Sequence, residues 1–273
     1  MKTILSASRK EDIIKNIKRY EELQKILESG VYETTNLYKG NTISTFNKDN
    51  VGAVVLWSKD YSNFIENPGI LKNYNLYFQF TVTGYNKKIE PNVVHYENAI
   101  EQMRQLAEMY SPESINWRYD PIAFFDCMDK DPMKERLKTF EILCESISKI
   151  GIKRCTISFL SLYGSVEYRL NGLGIKYKIL NEKEKVEFLK AMVSIADKYN
   201  IQLYSCASPS ILKVPEIKKS ACIDGEVLSK LYNIKFSKAK DGGQRKECGC
   251  VKSIDIGKYT PCPHSCAYCY GRI

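Results

Sequence analysis

Val51-Gly-Ala-Val-Val-Leu-Trp57 reads as a buried β-strand, and Leu76-Tyr-Phe-Gln-Phe-Thr-Val-Thr83 reads as the next one. Both runs are short, apolar and rich in β-branched or aromatic residues, the pattern of strands covered on both faces. A short helical segment broken by Pro68-Gly69 lies between them, and a helix is predicted from about residue 92 to 110. The alternation continues in both directions. Upstream, Ile4-Leu-Ser-Ala-Ser8 is a strand, and Ile13, Ile17, Tyr20 and Leu27 form a helical stripe ending near Gly30. Downstream, Ile115-Asn-Trp-Arg-Tyr119 precedes a helix over about 132–150. Arg154-Cys-Thr-Ile-Ser-Phe159 leads through a longer loop to a helix over about 182–199. Ile201-Gln-Leu-Tyr-Ser205 is the sixth strand, with one more short helix over about 224–232. Six βα units in succession imply a parallel sheet. The fold class is therefore α/β, with residues 1–209 forming a partial (β/α)6 barrel. Residues 210–273, rich in lysine, glycine and cysteine, are expected to be an iron–sulfur-binding cap packed on the barrel mouth.

Parallel barrels place their chemistry at the C-terminal ends of the strands. Polar residues gather there: Ser8 and Arg9, Lys59, Thr83, Arg118 and Asp120, Ser158 and Ser161, Ser205 and Cys206. One polar strand end means little, but six in register predict a lined cavity. With 273 residues, 44% hydrophobic and 27% charged, the chain can bury an ordinary globular core. The opening Met1-Lys-Thr-Ile-Leu is too short an apolar run for a signal peptide, and no run of about 18 apolar residues suits a membrane span. The expected setting is the cytoplasm, where thiols stay reduced.

Ten cysteines in that setting are better read as metal ligands and buried thiols than as disulfides. Cys144 lies on the helical stripe Leu137, Phe140, Cys144 and Ile147, and Cys155 lies inside a strand; both read as core. Cys127 has no local partner and is also assigned to structure. The remaining seven are grouped differently. Cys262, Cys266 and Cys269 share one short loop with C-x3-C-x2-C spacing, so backbone alone can wrap one ion or cluster. Three thiolates leave one coordination place open on a four-iron cluster or a tetrahedral ion. His264, inside that loop, is expected as a loop donor more than as a ligand. Cys206, Cys222, Cys248 and Cys250 make a second set of four, enough for a closed site. A mixed centre joining the triad to Cys248 or Cys250 is the competing arrangement.

The C-x3-C-x2-C loop, with aromatic Tyr268 before its last cysteine, resembles the signature of the radical S-adenosylmethionine (SAM) superfamily. The resemblance implies a [4Fe-4S] cluster on Cys262, Cys266 and Cys269, SAM on the open fourth iron, and Tyr268 against the adenine. It also implies a full or partial α/β barrel and an electron donor such as flavodoxin or ferredoxin. Here the motif ends the chain, whereas the superfamily usually places it after the first strand. No Gly-Gly-Glu-like segment follows a strand. Arg9, Arg118 and Asp120 are candidate binding residues for SAM or an anionic substrate, and a second [4Fe-4S] cluster is the matching expectation for Cys206, Cys222, Cys248 and Cys250. The whole chain further resembles a bacterial family described as a domain of unknown function, through Ser8, Arg9 and Asp12, Phe78 to Thr81, Arg118-Tyr-Asp-Pro121 and the cysteine cluster.

The functional expectation is a radical SAM-like iron–sulfur enzyme acting on an unidentified substrate. A non-catalytic zinc or iron–sulfur protein is the first alternative. A nucleic-acid repair or modification enzyme is the second, because 12 Lys/Arg against 6 Asp/Glu from Lys213 onward make the tail basic. Solubility and compensation of an anionic thiolate cluster explain the same charge more plainly.

Overall fold

The computed structural model describes residues 1–36, 40–127 and 131–271. The strands, in chain order, are β1 (Thr3–Ala7), β2 (Val31–Asn36), β3 (Gly40–Thr45), β4 (Val51–Ser58), β5 (Leu76–Thr81), β6 (Ile115–Ile122), β7 (Phe124–Phe125), β8 (Arg154–Phe159), β9 (Tyr177–Lys178), β10 (Gln202–Ser205), β11 (Lys218–Lys219) and β12 (Ile254–Asp255). The helices are α1 (Ile17–Ser29), α2 (Ser62–Glu66), α3 (Tyr96–Met109), α4 (Pro132–Ser148), α5 (Gly164–Gly172), α6 (Glu182–Lys198) and α7 (Gly225–Tyr232). Local sequence explains several boundaries. Asn16 accepts from the Arg19 amide to start α1, and Gly30, at φ 73°, ends it in the left-handed conformation. Asn181 and Glu184 form a reciprocal capping box on α6, and Asp224 caps α7.

Eight strands form one parallel sheet in the order β11-β10-β8-β6-β5-β4-β1-β12. Each new strand joins beside its predecessor from β1 to β11, and β12 then returns to the far side of β1. This is the order of an eight-stranded barrel cut between its seventh and eighth strands. Among the described residues β11 and β12 do not pair, so the barrel is not closed. The expected six-strand scaffold is thus corrected to an open sheet of eight. The two additional strands are two-residue pairings contributed by the cysteine-rich segment, one at each edge, and such short pieces carry no readable periodicity.

The alternation of side chains divides the sheet cleanly. Leu5, Val54, Leu56, Phe78, Phe80, Trp117, Tyr119, Cys155 and Ile157 point to one face and join the main core with α1, α3, α4 and α6. Their neighbours Ile4, Ala53, Val55 and Tyr77 point to the other face and pack against Ile223, Leu228, Phe236, Cys248, Cys250 and Val251. The inner face is therefore covered by chain 221–251, which includes α7, and not by α1, α3, α4 or α6. Further along, this inner face turns polar. Asn116 donates to Gln79 at 2.7 Å, Thr156 donates to Asn116 at 3.1 Å, and the Trp57 indole donates to Ser6 at 3.0 Å. Each of these side chains is buried or half-buried, so the hydrogen bonds offset the cost of placing them there.

Candidate metal and cofactor site

The C-terminal loop lies over the ends of β1, β4 and β5. The Asn92 side chain donates to the Pro263 carbonyl at 2.8 Å, and the Ala267 amide donates to the Ile89 carbonyl at 2.8 Å. Arg169 of α5 donates to the Cys269 carbonyl at 2.6 Å. Cys266, Ala267 and Tyr268 pack with Tyr85, Ile89, Phe125, Val166 and Leu170, so an apolar cluster holds the loop from below. Ser265, at φ 54°, makes the tight bend between the first two cysteines.

Behind this loop stand two groups of buried polar residues. His264 is 2% exposed and its Nε2 lies 2.7 Å from Asp12 Oδ2, while its Nδ1 is buried with no hydrogen-bond partner among the described residues. Asp12 also receives Ser58 Oγ and the Lys59 amide. The second group centres on Glu90, 3% exposed, which accepts from Lys59 Nζ at 2.8 Å, from Thr83 Oγ1 at 2.7 Å and from the Tyr268 hydroxyl. Burial pushes the Glu90 carboxyl up, but the Lys59 charge and the three donors outweigh it and hold it below its usual range. Burial likewise opposes the Lys59 ammonium, yet Glu90 leaves it raised. The Tyr268 phenol is held well above its usual range by burial and by Glu90. A cleft of about 350 Å³ opens beside this group, lined by Lys59, Thr83, Tyr85, Glu90, Val93 and Tyr96 among others.

All ten cysteines are free thiols. Burial pushes Cys262 up to about 11 and Cys266 up to about 12. Both therefore stay protonated at neutral pH until a cation ionises them. The triad sulfurs do not all lie within 4.8 Å of one another. One tetrahedral ion, with metal–sulfur bonds of about 2.3 Å, would draw its thiolates to about 3.8 Å apart. A four-iron cluster binds each thiolate to a different iron and so holds them further apart. The three soft donors on one wrapped loop fit a four-iron cluster with one iron left open, and the partnerless His264 nitrogen in the same loop is the fourth donor that a single tetrahedral ion would use instead.

The second cysteine set is brought together as well. Cys206 follows β10, Cys222 follows β11, and Cys248 and Cys250 precede β12. Cys206, Cys248 and Cys250 have sulfurs within 4.8 Å of one another, and Cys206 Sγ lies 3.7 Å from Cys248 Sγ. Cys222 stands beside Cys206 and Cys250, its sulfur 3.0 Å from Arg118 Nη1. Hydrogen bonds from neighbouring thiols, that of Cys222 first, draw Cys206 down to about 6. The donors of those bonds, Cys222 and Cys250, are raised in return. Arg118 also pairs with Asp120, which accepts from Ser158, and its guanidinium lies over the Trp57 ring. Arg9 is bound differently: it pairs with Asp241 at 3.1 Å and Asp255 at 3.5 Å, tying the tail to the end of β1. Tyr268, expected against an adenine, packs tilted against Tyr85 and points its hydroxyl at Glu90.

Cys144 and Cys155 are fully buried in the main core, as their helical and strand positions predict, and Cys127 packs half-buried at the edge of the Tyr85 cluster. The residues that sequence reasoning missed are Glu90, Gln79 and Asn116. Gln79 and Asn116 carry a signal, since each is a lone amide inside an apolar strand. Glu90 carries none: it sits in a loop between Lys88 and Pro91 and is buried only by the fold.

Fold and site together define an α/β protein with a parallel eight-stranded sheet, a group of cysteines drawn from its two edges, and a C-terminal loop of three more. The chain belongs to the family described as "Domain of unknown function (DUF1848)", which it matches over residues 4–271. No curated protein matches it.

Proposed function

We propose that the chain is a radical SAM-like iron–sulfur enzyme, with a [4Fe-4S] cluster on Cys262, Cys266 and Cys269. The observation that carries this reading is the triad itself. Three free thiols with C-x3-C-x2-C spacing ride on a single loop above a polar inner face, three donors for a four-iron cluster with one iron left open. When bound, such a cluster with SAM on its open iron supplies reductive cleavage to a 5′-deoxyadenosyl radical. The chain's own residues do the positioning. Glu90 fixes the Tyr268 ring through its hydroxyl, Lys59 places a cation beside Cys266, and Asp12 orients His264 beneath the loop. The apolar cluster around Phe125 and Val166 excludes water from that side. Arg118 and Asp120 form the polar floor between the two cysteine sets. A flavodoxin or ferredoxin would supply the electron.

A small-molecule substrate suits the site better than nucleic acid, because Lys213, Lys238 and Lys258 of the basic tail are paired with Glu182, Glu226 and Glu22. Among the described residues no helix is long and apolar enough to cross a membrane. A purely structural metal protein is the competing reading, favoured by the close approach of Cys206 and Cys248. Anaerobic reconstitution with iron and sulfide, followed by SAM and a reductant, decides between them. Release of 5′-deoxyadenosine that is lost in Cys266→Ala supports the enzyme. Absence of SAM cleavage with a fully loaded triad refutes it.

A further inference from the structure

We infer that Cys206, Cys222, Cys248 and Cys250 bind one tetrahedral zinc ion that joins the two unpaired edges of the sheet. The inference is independent of the triad. Its first support is metric: the 3.7 Å between Cys206 and Cys248 matches the edge of a tetrahedron of sulfurs about 2.3 Å from a central ion. It is too long for a disulfide, whose sulfurs sit about 2.05 Å apart. It is shorter than a cube-shaped cluster allows when each thiolate binds a separate iron.

The second support is topological. The barrel order is interrupted between β11 and β12, and the four cysteines come from both sides of that interruption. Cys206 and Cys222 follow β10 and β11 at one edge, whereas Cys248 and Cys250 lead into β12, which pairs with β1 at the other. Among the described residues, one nearby backbone bond continues across, from the Val251 amide to the Ile223 carbonyl at 3.0 Å. A metal ion there does what a hydrogen-bonded seam does in a closed barrel.

The third support is the surroundings. Four thiolates around a divalent ion carry net negative charge. Arg118 touches the Cys222 sulfur, and Arg9 lies close enough to Cys250 for the two charges to interact. The Ile223 amide donates to Cys250 Sγ at 3.4 Å, an N–H···S contact that steadies a ligating thiolate. Cys222, which interacts with both Cys206 and Cys250, is the fourth ligand, and each thiol gives its proton to solvent on binding.

The test uses the full chain with Cys262, Cys266 and Cys269 replaced by Ser, stripped of metal under anaerobic conditions. One Co²⁺ per chain should bind with the sulfur charge-transfer and intense d–d absorption of a tetrahedral thiolate site, and Zn²⁺ should abolish that spectrum. Adding Cys222→Ser should weaken uptake at least tenfold and lower the charge-transfer intensity. Failure to bind cobalt, binding without thiolate absorption, or assembly of four irons and sulfides at this site in the variant would overturn the inference. Wild-type protein gives a second measurement: one zinc per chain should persist through iron loading of the triad, and zero zinc would also overturn it. SAM cleavage is not part of either readout, so the triad reading stands or falls separately.

Discussion

Replacing Glu90 with Gln tests whether the polar group beneath the triad loop is a tightly coupled unit. The substitution keeps the shape and removes the charge. Lys59, whose side chain is 12% exposed, then keeps its ammonium without the carboxylate 2.8 Å away. Breaking a buried ion pair on one side costs about 3–5 kcal/mol. Two features reduce this figure: the Gln carbonyl still accepts from Thr83 and Tyr268, and Asp120 still acts on Lys59. The expected loss is about 3 kcal/mol, a fall in Tm of roughly 6–12 °C for a chain of this size. Lys59→Met combined with Glu90→Gln removes both charges and should cost only about 1 kcal/mol, because an apolar pair tolerates the site. Urea unfolding of the two single variants and the double, with reductant and chelator present, measures the coupling, expected at about 2 kcal/mol or more. A cost below about 1 kcal/mol for Glu90→Gln, or strict additivity in the cycle, would show that Lys59 and Glu90 do not depend on each other.

Three further outcomes follow from other parts of the molecule. Burial pushes the Asp60 carboxyl up, but Lys15, Ser62 and Gln102 draw it down to about 2 from its ordinary 3.8. A depressed carboxyl stabilises above its unfolded value and loses that contribution as pH falls through the folded one. Between about pH 4 and pH 2, Asp60 should therefore account for about 2 kcal/mol of acid destabilisation, which Asp60→Asn should remove from the pH dependence of unfolding. At Gly257 an added Cβ would meet Ser8 Oγ at 1.7 Å, so Gly257→Ala should lower stability by at least about 2 kcal/mol by denaturant melt, while exposed Gly172→Ala should not. Cys144 and Cys155, fully buried with thiols raised by burial, should resist iodoacetamide in the folded protein and react on unfolding. Rapid labelling of either would contradict their place in the core.

The first six strands of the parallel sheet were legible because each buries a run of apolar residues on its outer face. The end of α1 at Gly30 was legible as a glycine stop after an apolar helical stripe. The hairpin β2–β3 escaped, since its mixed polar sequence resembles a loop. The nearness of Cys206, Cys248 and Cys250 was expected from the count of cysteines left outside the core and the C-terminal loop. Which strand edges they join could not be read, because β11 and β12 are defined by two residues each and by partners far away in sequence. Lys59 was visible as a strand-end polar residue, but its partner Glu90 was not, since nothing local distinguishes a buried loop carboxylate from an exposed one. Arg118 and Asp120 were visible as polar strand-end residues. Their contact with Cys222, 104 positions from Arg118, is a product of tertiary folding.

The return of β12 to the side of β1 has a consequence for synthesis. Domains begin to assemble from the N-terminal end as the chain emerges, at about 5–20 residues per second. The helix-covered face can form once α6 and β10 are out, but the opposite face waits for chain 221–251. Cys248 and Cys250 emerge 42 and 44 residues after Cys206, and the C-terminal triad later still, so both cysteine sets are completed several seconds after Cys206 appears. The segment that covers the inner face is thus the one that brings Cys248 and Cys250 to Cys206.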